Sequence, residues 1–271
     1  MMSSHQAQAR VLRGVKKSQT PITEWVTPVL PLDQTGCLRL GEHPPSELPS
    51  VDEIRSLHEL ARKGGCDELQ RTTEFIAEES FTSAPAMLLM AIDPATGDSL
   101  CHTAIRAQQI GALAQLRKMF PPNGSFRLGE NALYKHKNHA GETMLHAAVT
   151  TGNIDMVVAA YRLFGRDDLT NGKGYAGRGQ PLEELTEHPN DGIPHLTFLL
   201  EKCSDGRDAA TVARDNGYDN LAQWIDNVVT RLDPAGQRHD PEQWKEWESF
   251  MRDYYQYEYR EVQVEDDAID W

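Results

Sequence analysis

The chain has 271 residues, with 41 Asp and Glu against 27 Lys and Arg and a formal net charge of -14, and its mean hydropathy is -0.56. Such a length allows one large domain with extensions, and the surplus of acids sets an average field that repels nucleic acid and other polyanions. The longest apolar run, Ala84 to Ile92, is nine residues with Pro85 inside it, well short of the ~20 needed to cross a membrane.

Residues 1–50 contain six prolines (Pro21, Pro28, Pro31, Pro44, Pro45 and Pro49) and no sustained helical period, so they read as an extended arm. Its apolar side chains, Ile22, Trp25, Val26, Val29, Leu30 and Leu32, leave two alternatives open: the arm lies along its own domain, or it waits for a partner. Met1 to Thr20 lacks the apolar core of a secretory signal, and Cys37, Cys66, Cys101 and Cys203 form no CxxC pair. Reduced thiols in the cytoplasm or nucleus are expected. Four bases (Arg10, Arg13, Lys16, Lys17) with no acid before Glu24 keep mitochondrial targeting as a minor alternative.

From 51 to 232 apolar helical pieces alternate with Gly- and Asp-containing turns. Within this region a segment repeats. Gly141 to Tyr161 (GETMLHAAVTTGNIDMVVAAY) aligns without a gap on Gly97 to Arg117 (GDSLCHTAIRAQQIGALAQLR), placing Ser99 on Thr143, Cys101 on Leu145, His102 on His146 and Ala104 on Ala148. Gly206 to Ile225 follows the same frame, with Ala210, Ala213 and Gly217 on Leu145, Ala148 and Gly152. A weaker copy, Leu60 to Gln70, keeps Ala61, Gly64 and Leu69.

The residue types have physical work to do. Thr143, Ser99 and Asp208 stand where a side-chain oxygen can cap a helix, and His146 and His102 can bond the capping hydroxyl and the adjoining turn. Ala147 and Ala148 keep the first helix thin, so neighbouring helices approach closely. Gly152 suits a left-handed helix end, which the Gln108 of the preceding copy does not supply cheaply. This set resembles the ankyrin repeat, a turn and two helices over about 33 residues. The resemblance implies an all-α, ankyrin-repeat solenoid of stacked helix–turn–helix units, with repeats near 54–80, 93–120, 138–165 and 204–231. The spacings Gly97 to Gly141 (44) and Gly141 to Gly206 (65) add insertions of roughly 11 and 32 residues to that period. Insertions in such arrays are expected on loops at one face, with Leu196 to Leu200 helical.

Residues 233–271 begin with a breaker-rich link and continue in a helix whose Trp244, Trp247, Met251 and Tyr254 or Tyr255 share one face. That face either covers the open end of the stack or recognises a partner. Residues 240–271 hold eleven acids and three bases, -8 of the -14.

No chemistry emerges from the remaining motifs. Gly172, Gly174 and Gly177 spell GxGxxG without the preceding strand or following helix that a dinucleotide site requires. His136 and His139 have no cysteine or carboxylate pair at ligand spacing, Asn123-Gly-Ser125 reads as a turn, and Cys101 sits at a core position. No catalytic residues, metal or cofactor are expected, and the chain is read as a non-enzymatic protein. What the ankyrin resemblance implies is protein–protein recognition through a concave surface of turn tips and first helices, with contacts at Asp98, Arg106, Gln109, Asn138, Glu142, Thr150, Thr151, Arg207 and Arg214. Trp244 and Trp247 join them if the closing helix recognises a ligand. The chain also looks like small acidic ankyrin proteins that chaperone a ribosomal protein, so a basic protein client is one hypothesis. The alternative is a structural or regulatory subunit of a larger assembly, with the arm and insertions in permanent contact.

Overall fold

The computed structural model describes residues 30–31, 45–120, 127–164, 193–247 and 249. Among these, every regular element is a helix, and the single extended feature is an isolated bridge between Lys202 and Asp208. The Gly-rich loop at Gly172 to Gly177, the Asn123 turn and the acids beyond Ser249 lie outside the described residues.

Helix α1 (Val51–Lys63) starts at a capping box: the Ser50 N–H donates to Glu53 Oε2 at 2.7 Å, and the Glu53 N–H to Ser50 Oγ at 3.3 Å. Asp52 and Glu53 in its first turn and Arg62 and Lys63 in its last complement the helix dipole. Gly64 ends it at a φ of 73°. Helix α2 (Cys66–Glu79) turns Leu69, Thr73, Ile76 and Ala77 inward, and α3 (Ala84–Met90) is buried from Pro85 to Met90 after a Ser83 cap. Then follow α4 (Leu100–Arg106), α5 (Ile110–Lys118), α6 (Arg127–Lys135), α7 (Met144–Thr150), α8 (Ile154–Phe164), α9 (Ile193–Leu199), α10 (Ala209–Asp215) and α11 (Asp219–Leu232). A 3-10 turn (Gln237–His239) leads to helical residues 241–247.

These helices stack in rows. Contacts run α1 to α4 to α7 to α10 in one row and α2 to α5 to α8 in the next, and each first-row helix also packs on its sequence neighbour in the second, α10 on α11 included. Small residues make the first row possible: Ala104, Ala147, Ala148, Ala209 and Ala213 are completely buried and let helix backbones approach. Tyr161 on α8 meets Trp224 on α11 edge to face at 5.7 Å, which carries the second row to the end of the stack.

The first insertion holds a helix where the sequence suggests a loop, and the second holds one at Ile193–Leu199, where Leu196 to Leu200 are expected to be helical. Helix α6, from the first, buries Ala132, Leu133 and Tyr134 completely and packs on α3 and α8. Helix α9, from the second, packs on α11 and stacks Phe198 flat against Phe164 of α8, 4.4 Å between ring centres. The described parts of both insertions are therefore core, because their apolar faces cover the second row. One apolar cluster runs through the whole structure and includes Leu30 from the arm and Trp247 from the closing helix.

Candidate functional site

The turns that precede α4, α7 and α10 form a continuous ridge. Each closes with a backbone bond to the carbonyl that follows its glycine, Asp93 N–H to Asp98 O (2.9 Å) in a turn one residue longer than the other two, Asn138 N–H to Glu142 O (3.0 Å) and Cys203 N–H to Arg207 O (3.0 Å). Neighbouring turns are tied by His139 N–H to Thr96 O at 3.0 Å and Ser204 N–H to Ala140 O at 3.1 Å. Gly97 and Gly141 hold φ near 70°, and a Cβ on Gly141 would stand 2.6 Å from the Ser204 nitrogen. Only glycine meets both conditions there.

Imidazoles latch each turn to the helix before it. His102 receives the Ser99 hydroxyl at Nδ1 (2.9 Å) and donates from Nε2 to Glu142 O (3.0 Å). His146 receives the Thr143 hydroxyl (2.9 Å) and N–H (3.3 Å) at Nδ1 and donates to Arg207 O (3.2 Å). In α4 the expected Ser99 cap is therefore replaced: its hydroxyl serves the ring and makes no cap bond. Asp208 does cap α10, accepting from the Thr211 N–H at 2.8 Å. Gln108, in the place of a glycine, still adopts the left-handed conformation at a φ of 56°.

Sequence reasoning missed a third imidazole. His58 bonds Thr103 Oγ1 (2.6 Å) and Ala91 O (3.2 Å), and it stands six residues before Gly64 as His146 does before Gly152, a signal that was present. His136, considered above as a metal ligand, donates to Gly97 O at 2.7 Å and lies edge-on to His102. Burial holds the pKa of His58, His102, His136 and His146 below the usual value, with His102 pushed down to about 4 although Asp98 and its bond to Glu142 oppose the shift. All four are neutral at pH 7. Burial pushes the Cys101 thiol up, with Glu130 adding to the effect, so it is inert as a nucleophile.

Of the anticipated contact residues, four converge across two turns. Arg106 Nε donates to Asp98 Oδ2 (3.1 Å) and its Nη2 to Glu142 Oε2 (2.7 Å), while Asn138 Nδ2 donates to Asp98 Oδ1 (2.8 Å) and Glu142 Oε2 (3.2 Å). Burial raises the Glu142 pKa, but the Arg106 and Asn138 bonds outweigh it and hold the carboxyl below its usual range. Asp98 and Asn138 are buried, so they shape the ridge, and Arg106 is the exposed member. Arg207 clamps Asp205 and Asp215, and Arg214 pairs with Asp226. The Thr150 and Thr151 hydroxyls donate back to Ala147 O and Ala148 O, and Gln109 to Ala107 O. Trp247 is 7% exposed and belongs to the apolar cluster, and Trp244 lies edge-on to it, partly buried against the same cluster.

Among the described residues no group of three or more His, Cys, Asp or Glu is arranged to hold a metal, and no helix is long and apolar enough to cross a membrane. No family model and no curated protein matches the sequence. Among solved structures, the fold is similar to a chain in the crystal structure of the yeast ribosomal protein Rps3 in complex with its chaperone Yar1. The TM-score is 0.41 at 17% identity, covering 65% of this chain and 92% of that one.

Proposed function

We propose that this chain is an ankyrin-type repeat protein that works without catalysis, as a protein–protein interaction module of the cytoplasm or nucleus. The observation that supports this best is the ridge, in which successive turns each close by a backbone bond to the carbonyl after the glycine, dock on one another and are latched by the preceding helix. A rigid row of turns presents side chains at fixed spacing, so little ordering cost falls on binding. Arg106, Glu142 and Arg207 retain solvent access on that row, and Thr150, Thr151 and Arg214, at the C-terminal ends of α7 and α10, extend the contact surface along the first-row helices.

The partner is a basic protein, such as a ribosomal protein. The eleven acids against three bases in residues 240–271, rather than the distant likeness to the Rps3–Yar1 crystal structure, support this reading. The burial of Leu30 in this chain's own core favours a self-contained module over a subunit whose arm is held by an assembly. Pull-down from cell extract with the tagged full chain, at low and at high salt, tests it. Recovery of a basic protein at low salt, lost at high salt, is expected; recovery of no basic protein in either condition contradicts the proposal.

A further inference from the structure

The large hydrophobic side chains most exposed on the described surface are Phe81 (79%), Leu48 (65%) and Phe75 (58%). They gather at the C-terminal end of α2. The Ser46 N–H and hydroxyl both donate to Ser80 O, at 2.9 and 3.1 Å, which sets Ser46, two residues before Leu48, beside the residue that precedes Phe81. Phe75 lies on the solvent side of α2, opposite Leu69, Thr73 and Ile76. Phe81 also has a φ of 54°, a left-handed conformation that strains a side-chain-bearing residue and that glycine adopts without strain. An exposed aromatic ring held under that strain gains nothing from its own fold.

The surroundings specify what would cover it. Glu47, Glu78 and Glu79 are exposed and form no ion pair with a described residue, and Glu74 accepts from Gln70 Nε2 at 2.7 Å. The Arg71 Nε of the same helix is turned to Asp67 O. Aromatic faces rimmed by carboxylates attract cations through both the ring and the charge, and the apolar area adds the hydrophobic gain.

We propose that this end of α2 is a docking surface for a basic segment of a partner protein, one carrying apolar side chains among its lysines and arginines. It goes beyond the function proposed above, since none of the ridge residues belongs to it. Anisotropy titration of the full chain with a fluorescein-labelled 14-residue peptide of Lys, Arg and Leu in amphipathic order tests it. A Phe75→Ala/Phe81→Gly variant should bind about tenfold or more weakly, with an unfolding midpoint unchanged or raised, because glycine accepts the left-handed φ at position 81. Glu78→Lys/Glu79→Lys should weaken binding and reduce its salt dependence, and the peptide with Ser in place of Leu should bind about tenfold more weakly. Equal affinity of the wild type and the Phe variant, equal affinity for the two peptides, or no binding by the wild type would overturn the proposal. A concentration-dependent dimer abolished by the Phe substitutions would assign the patch to a second copy and also overturn it.

Discussion

Gly141 and Gly206 occupy equivalent turns, but their surroundings differ. Both have positive φ, yet a Cβ would strike the Ser204 backbone at Gly141 and meets nothing within 4 Å at Gly206. Gly141→Ala should therefore cost about 2–4 kcal/mol, backbone strain plus the forced separation of two turns, whereas Gly206→Ala should cost only the strain, about 1–2 kcal/mol. Urea unfolding of the two variants reads the difference directly, and equal losses would show that the turns do not dock. The buried imidazoles make a second prediction at this scale. A histidine whose folded pKa is depressed stabilises the fold fully above its unfolded pKa, near 6.5, and the contribution is lost as pH falls toward the folded value. With His102 at about 4, acidification from pH 6.5 to 5 should remove about 2 kcal/mol through that residue alone. His58, His136 and His146 act in the same direction. Thermal unfolding at pH 7, 6 and 5 should show a steadily falling midpoint; a flat profile contradicts the neutral latch.

At the scale of elements, what could be read from the sequence was what local chemistry determines. The Asp208 cap, the left-handed glycines and the spacing of Thr143 to His146 each depend on residues within one turn, and their signals survive in one dimension. Bonds between units do not. His102 reaches across 40 residues to Glu142 and His146 across 61 to Arg207, so the need for them could be argued but their register could not. Helix α6 was hidden for another reason: it buries Glu130 and Asn131 along with Tyr134, and Tyr134 donates to Glu130 at 2.9 Å. Its inward face thus reads as polar, although the bond meets the cost of burial. The turn between α4 and α5 offers a test. Gln108 holds a φ of 56° and accepts an exposed bond from Asn153 at 2.8 Å. Gln108→Gly should relieve the backbone and raise stability by up to about 1 kcal/mol despite losing that bond. A clear loss of stability on denaturant titration would mean that the side chain, and not the backbone, governs the turn.

For the whole molecule, stacking and charge are distributed unequally. The rows from α1 to α11 form a continuous core whose turns face one way, while more than half of the net negative charge belongs to residues 240–271. A partner engaging the ridge would lie near Lys137 and Lys202, both exposed beside the turns, and away from Lys118 at the end of α5. Chemical crosslinking of the full chain in native extract, followed by mass spectrometry, is the most direct measurement of that arrangement. The account predicts crosslinks from Lys137 and Lys202 to a basic protein, diminished at high salt. Crosslinks confined to Lys118, or none to any basic protein, would contradict it.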